Sequence, residues 1–356
     1  MIKKIASVGL IDGFLEKYKI WRDHENFYRK QNHLEIAIDP TGIPCYPYQD
    51  LKSINNSNSS VVLIDCLTEG LHSQNMFSQY KHDCHYLIFS NGTWDKNLNP
   101  LPISYDIVHH NFFLFEMADT YLSPNRFCFY LDKNYNFDYP KEVNFISTIG
   151  FERQERDLLV NQLLNTVDKK TFILRYAGQD LAVPYTNDVV AFAPGQFTPW
   201  DPVSPDLEKY YHYTGQTLPI DLYNKGYFNL VVESDINLKN GFFLSEKTIK
   251  SLITGIPFVV CSTPYFIKGL KQLGFLTYSD VWNELYDNIE NTTDRIDSIA
   301  KLCIDLVDFD WELNKEKLQR IAEHNRCQFF NLNSLAHSEF VQFESLMLNI
   351  CEKYSL

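Results

Sequence analysis

Short apolar runs alternate with amphipathic stretches along the whole chain. In the first third, Ile2–Ile11, His33–Asp39, Val61–Asp65, His85–Ser90, Asp106–His109 and Phe127–Tyr130 have the look of strands. Phe14–Phe27, Leu67–Tyr80 and a segment around Asn111–Ala118 read as helices. Further on, Val143–Thr148, Thr171–Tyr176, Phe228–Val232 and Ile256–Cys261 are strand-like, and Leu158, Leu159, Leu163 and Leu164 mark a helix after Gly150. Leu218–Lys225 and Tyr265–Leu273 predict short helices, and Asp294–Val307, Trp311–His324 and Leu332–Tyr354 predict a helical tail. Repeated strand–helix alternation predicts parallel sheets with helices on both faces, and such sheets bind ligands beyond the carboxyl ends of their strands.

A polar, Pro-containing stretch, Lys133–Lys141, reads as a linker and divides the chain. The expected organisation is an α/β domain over residues 1–135, a second over 142–330, and a closing helical segment over 331–356. Val183–Tyr213 is irregular, with five prolines, and is long enough for an active-site loop or a subdomain edge.

The most informative stretch is Gly226–Asp287. Its strand Phe228–Val232 ends in Glu233, Ser234 and Asp235. A Gly-containing loop leads to Ser245, placed as a helix N-cap, with Glu246 and Lys247 in the first turn. Ile249, Leu252 and Ile253 give that helix one apolar face; Gly255 can cap its end, with Pro257 just beyond. A helix start offers free N–H groups and partial positive charge, which suit a phosphate, and Lys247 adds a full charge. Glu246 would repel a phosphate but can accept hydrogen bonds from ribose hydroxyls. An acid and a base side by side are equally explained by the helix dipole and a solvated lysine.

Glu233, the run Phe242–Thr248, Lys250, the segment Gly255–Phe258, Leu270 to Gly274–Phe275, and Tyr286–Asp287 occur in one order. This ordered set resembles the carboxyl-terminal, donor-binding half of GT-B glycosyltransferases. It is most similar to the fucosyltransferase-like and exostosin-like group and its viral and bacterial relatives. The resemblance covers about sixty residues well and the rest of the chain loosely. It implies two Rossmann-like domains with a tail returning to the first, and a nucleoside-diphosphate sugar as co-substrate. By it, Glu246 would hold the donor ribose and Lys247 the diphosphate, while Ser245 stands where Thr is commoner and preserves the cap. An arginine after the first strand of the donor domain contacts the diphosphate in similar enzymes. Arg153 is the candidate here, with Arg156 close behind, though both also fit an ordinary Glu/Arg helix face. Glu233 would touch the donor sugar or serve as a turn acid. Lys250 lies one turn from Glu246 and can pair with it.

Inverting transfer needs a general base from the first domain. Glu69, Asp65 and Asp95 are the candidates, Glu69 first because it follows a strand in a Gly-bounded loop; a solvated or capping acid explains each as well. A metal-free donor site is expected, since lysine, arginine and a helix terminus can neutralise a diphosphate leaving group. His82, Cys84, His85, His109 and His110 cluster in sequence without zinc-ligand spacing. The rival reading is a non-catalytic GT-B-shaped module that binds nucleotide or glycan within an assembly. Neither GxSxG nor GxxxxGK[ST] occurs, which removes the motif support for a nucleophile-elbow or P-loop enzyme.

Composition narrows this further. A 45% hydrophobic and 22% charged chain is that of a globular protein, long enough at 356 residues for two cores. Its 26 Phe, 22 Tyr and 5 Trp suit carbohydrate platforms or an aromatic core alike. The net charge of −13 disfavours nonspecific nucleic-acid binding, so the acceptor stays open among a glycan, a protein, a small molecule and a modified nucleic-acid base. No apolar run of membrane-spanning length occurs, and the amino terminus reads as a strand rather than a signal peptide. Eight scattered cysteines without a CxxC pair point to a reducing, cytoplasmic setting.

Overall fold

The computed structural model describes residues 5–8, 38–39, 61–66, 85–90, 104–111, 114–115, 134–150, 152–177, 179–182, 220–234, 236–237, 242–331 and 333–354. The protein is mixed α/β, with two mainly parallel sheets. Two compact units divide it: residues 1–112 with 332–356, and residues 113–331.

The first unit carries β1 (Ile5–Val8), β2 (Ile38–Asp39), β3 (Val61–Cys66), β4 (His85–Ser90) and β5 (Ser104–His109), all parallel, in the order β2-β1-β3-β4-β5. The chain runs from β1 to one side and returns on the other side as β3. The order therefore reverses between β1 and β3, the place where such sheets form a crevice. β4 is buried at every position, as its apolar run predicts. The helix Asn333–Tyr354 belongs to this unit and packs on β5.

That packing is pinned by a buried polar group. His110 Nδ1 lies 2.6 Å from Glu339 Oε2 of the helix. Glu339 Oε1 accepts from the Asn111 amide at 3.1 Å and from Asn111 Nδ2 at 2.7 Å. The His110 amide donates to Ser90 O at 3.0 Å, and Phe89 meets Phe343 of the same helix with centroids 5.7 Å apart. Both carboxylate oxygens are thus engaged in the interior, which such a group requires.

The second unit carries β6 (Val143–Ile149), β7 (Phe172–Tyr176), β8 (Gln179–Ala182), β9 (Gly226–Val232) and β10 (Phe258–Cys261) in the order β10-β9-β6-β7-β8. Four are parallel; β8 pairs antiparallel to β7 at the edge, an element the apolar pattern did not mark. Phe145, Phe172 and Phe228 occupy one register level of β6, β7 and β9. Phe145 stacks on both neighbours, with centroids at 4.8 and 5.2 Å. The helices are α1 (Gln154–Thr166), α2 (Ile220–Tyr223), α3 (Glu246–Thr254), α4 (Phe266–Gln272), α5 (Thr292–Asp305) and α6 (Trp311–Phe330), with the terminal helix as α7 (Asn333–Tyr354). Gly255 ends α3 in the left-handed conformation, φ 81°, and its amide donates to Ser251 O. Helix α6 runs past the expected His324 to Phe330, because its buried residues Asn325 and Phe329 continue the packed face.

The linker expected at Lys133–Lys141 belongs to the second unit. Tyr135 is buried with Ile220, Tyr223 and Ile256; its amide donates to Thr254 O and its hydroxyl to Gly226 O, each at 2.9 Å. Polar composition hid one anchoring aromatic. The units divide instead at 112/113 and 331/332. The expected strand Phe127–Tyr130, the helices Phe14–Phe27 and Leu67–Tyr80, and the loop Val183–Tyr213 lie outside the described residues. Among the described residues no helix is long and apolar enough to cross a membrane.

Replacing Glu339 by Met leaves His110 and Asn111 donors without their buried acceptor. The expected loss of stability is about 2–4 kcal/mol, read from urea unfolding of the whole chain.

Candidate functional site

In the second unit the chain leaves β6 for β7 on one side and later returns to β9 on the other, so the strand order reverses between β6 and β9. Ligand sites of parallel sheets form at this reversal, beyond the carboxyl ends. Beyond β6 come Gly150 and Arg153; beyond β9 come Glu233 and Ser234. The entry to α3 meets them there.

Glu233 is fully buried. Its amide donates to Cys261 O at 3.0 Å, closing the β9–β10 ladder. Its carboxylate turns to the start of α3: Oε1 accepts from Thr248 Oγ1 at 2.5 Å and lies 3.4 Å from the Ser245 amide, and Oε2 accepts from Ser245 Oγ. Ser245 caps α3 as its position predicts, its hydroxyl accepting from the Lys247 amide at 3.3 Å. Ser245 and Thr248 are themselves fully buried. The positive end of α3 thus already faces a carboxylate of the protein, and Ser245 is enclosed rather than presented to a ligand.

The charged pair behind the cap is different. The Glu246 and Lys247 side chains remain 22% and 24% exposed and pair at 2.8 Å. Lys247 Nζ also donates to Ser234 Oγ at 3.0 Å and lies 3.3 Å from Ser245 Oγ. Burial acts to raise the Glu246 carboxyl, but Lys247 and Lys250 hold it below the usual range, as an anion. Lys250 is buried, which lowers its ammonium to about 8 against the attraction of Glu246.

Both arginines reach the same strand end. Arg153 is exposed and donates from Nη1 to Ser234 O at 2.5 Å. Arg156 is buried and donates from Nη2 to Glu233 O at 3.0 Å. A third guanidinium, which the sequence did not single out, completes the set. Arg295 of α5 is 1% exposed and donates to Ile236 O at 2.6 Å, Ser262 O at 3.0 Å, Ile289 O at 2.6 Å and Glu290 O at 3.2 Å. No pattern in the chain marks it, since its partners are backbone carbonyls of three separate loops.

The structure therefore gathers Arg153, Arg156, Glu233, Ser245, Glu246 and Lys247 at one strand end, with Lys250 a turn behind. Exposure separates their roles. Glu246, Lys247 and Arg153 are open to solvent; Glu233, Ser245, Arg156 and Lys250 form the support beneath. Cationic groups on the open side can bind a phosphate, and the carboxylate beside them can accept from hydroxyls.

In the first unit, Asp65 lies in β3 opposite Phe89, one residue before the strand's carboxyl end. That end borders the reversal between β1 and β3. Glu69 and Asp95 lie outside the described residues, as do His82 and Cys84. His85 Nδ1 lies 2.8 Å from Ser104 Oγ and Nε2 3.1 Å from Asp106 Oδ2; His110 is held by Glu339. Among the described residues no group of three or more His, Cys, Asp or Glu could hold a metal ion. Cys261 and Cys303 are free and buried, and burial pushes the Cys261 thiol up to about 12.

Burial also raises the Glu233 carboxyl, against the opposing pull of Lys247, Ser245 and Thr248. A carboxyl raised on folding contributes its full stability below the usual 4.5 and loses it as pH rises through the folded value. Glu233→Gln does not titrate. The stability of the wild type relative to this variant is expected to fall as pH rises above 4.5, measured by urea unfolding at each pH; a relative stability that rises with pH would show a carboxylate ionised on folding.

No family model, curated protein or solved structure matches this chain, and its chemistry is read from the side chains that meet at the end of β9.

Proposed function

We propose that the chain is a glycosyltransferase of GT-B type that takes its sugar from a nucleoside diphosphate bound at the carboxyl end of β9. One observation carries this: Arg153, Lys247 and Glu246 are the solvent-open members of a hydrogen-bonded cluster at the strand-order reversal. A diphosphate needs cations at such a place, and a ribose needs an acceptor beside them. The ordered resemblance to GT-B donor domains supports the same assignment, with each unit a Rossmann-like domain.

In this reading Lys247 and Arg153 neutralise the diphosphate and Glu246 accepts from the ribose hydroxyls. An acceptor hydroxyl attacks the anomeric carbon as the bond from that carbon to the phosphate oxygen breaks. The electron pair leaves with the nucleoside diphosphate, whose added charge the two cations stabilise. The hydroxyl proton passes to a general base, for which Glu69, Asp65 and Asp95 are the candidates. The cluster changes one part of the sequence-based picture. The helix dipole of α3 acts on Glu233, so the phosphate contact falls to side chains rather than to the helix start itself.

Nucleoside diphosphates are expected to raise the Tm of the wild type. Lys247→Ala should weaken their binding roughly ten- to hundredfold, the worth of a charge-assisted hydrogen bond. A thermal-shift panel of UDP, GDP, ADP and CDP checks both. No stabilisation by any of them removes the donor site; full stabilisation of the variant removes Lys247 from it. Binding without release of nucleoside diphosphate from the corresponding sugars would favour the non-catalytic module.

A further inference from the structure

The β9 cluster occupies the carboxyl end of the second sheet. At the amino end lies a depression with about 260 Å³ of empty space, part of it open to solvent. It forms where Lys141 leads into β6, Tyr227 lies at the start of β9 and Trp311 begins α6. Tyr135, Phe137, Tyr227 and Trp311 wall it, and the side chains of Lys141 and Lys315 border it. The rings hold one another in place. Tyr227 stacks on Trp311 with centroids 4.9 Å apart, and Phe137 meets Tyr135 edge-on at 4.8 Å. The Tyr135 hydroxyl donates to Gly226 O, which anchors that ring to β9.

Lys141 is half-buried among these rings, and its partners are carbonyls and a ring rather than a carboxylate. Nζ donates to Asn136 O at 2.7 Å and to Asn224 O at 3.3 Å, and it sits 3.9 Å from the centroid of the Tyr135 ring. A neutral amine has two N–H groups, and the two carbonyls accept both; only the ammonium has a third to place. Asp138, three residues before Lys141, pairs instead with Lys315 Nζ at 2.5 Å. Burial lowers the Lys141 ammonium to about 8; Asp138 opposes this and Lys315 adds to it. A lysine enclosed by apolar rings beside a second cation is placed to act as a nucleophile near neutral pH.

Lys315 is placed for a different task. Its two acids, Asp138 and Glu312, have side chains that are 76% and 81% exposed. Ion pairs with such exposed carboxylates hold weakly, so the acid group of a ligand can take their place. One amine that can attack and one ammonium that can pair thus border the same small concave space.

We propose that this depression is a second ligand site, in which Lys141 captures a small carboxylate-bearing aldehyde or ketone as an imine while Lys315 pairs with the carboxylate. The Nζ lone pair attacks the carbonyl carbon and forms the C–N bond. The carbonyl oxygen then leaves as water with the two amine hydrogens, and a C=N bond remains. No oxidant or reductant is consumed. The site shares no residue with the β9 cluster and stands whether or not that cluster binds a nucleotide.

The test incubates the full chain near neutral pH with glyoxylate, an aldehyde that carries a carboxylate, or with acetaldehyde, which carries none. Cyanoborohydride reduces each imine to a stable amine, and peptide mass spectrometry maps the adducts. Lys141 of the wild type is expected to carry the glyoxylate adduct at least roughly tenfold more often than any exposed lysine, because more of it is neutral at that pH. Lys315→Gln should lower glyoxylate labelling of Lys141 at least roughly threefold relative to acetaldehyde labelling. Adducts spread over the exposed lysines without preference for Lys141 overturn the proposal, an outcome read on the wild type alone. An equal change of both labels in Lys315→Gln overturns the pairing role of Lys315.

Discussion

Where β9 leaves its sheet, Glu233 and Ile236 are buried and Ser234 is half-buried, and their carbonyls need donors other than a neighbouring strand. Three guanidiniums meet this need. Arg156 takes Glu233 O, Arg153 takes Ser234 O and Arg295 takes Ile236 O. A buried carbonyl without a donor costs as much as a lost hydrogen bond, so the path of the segment is set by where these arginines can reach. Arg156 and Arg295 are both buried, so two of the three guanidiniums are enclosed at the strand end.

The same strand end fixes α3. Glu233 is committed to the Ser245 and Thr248 hydroxyls, so the helix start is locked to β9 from inside. Locking the inner face of the first turn orients its outer face, and Glu246 and Lys247 emerge there as a pair. A fixed support beneath thus carries exposed charges above, so their positions are set before anything approaches them. Arg295 extends the support sideways to the loop after β10.

The first unit is organised by a different buried pair. His110 and Glu339 are separated by 229 positions in sequence and join β5 to the terminal helix. With Asn111 completing the carboxylate's partners, the helix is held by polar specificity as well as by the Phe89–Phe343 contact. His110 adjoins His109 in sequence, yet its partner is a carboxylate that no local spacing indicates.

The sequence by itself determined the local chemistry. Alternating apolar runs marked β4, β6, β7, β9 and β10; Ser245 and Gly255 marked the two ends of α3; and the acids and bases around β9 were visible as a set. Each of these depends on residues within a turn or a strand of one another, where period, capping and left-handed backbone follow from the side chains themselves. Only the tertiary structure decided which of them are enclosed and which stay exposed. It enclosed Ser245 and Glu233 and left Glu246 and Lys247 open, drew in Arg295, and kept Tyr135 of a polar stretch inside the second unit. Burial and backbone-carbonyl partners are properties of what folds against a residue from far along the chain, and no spacing near that residue encodes them.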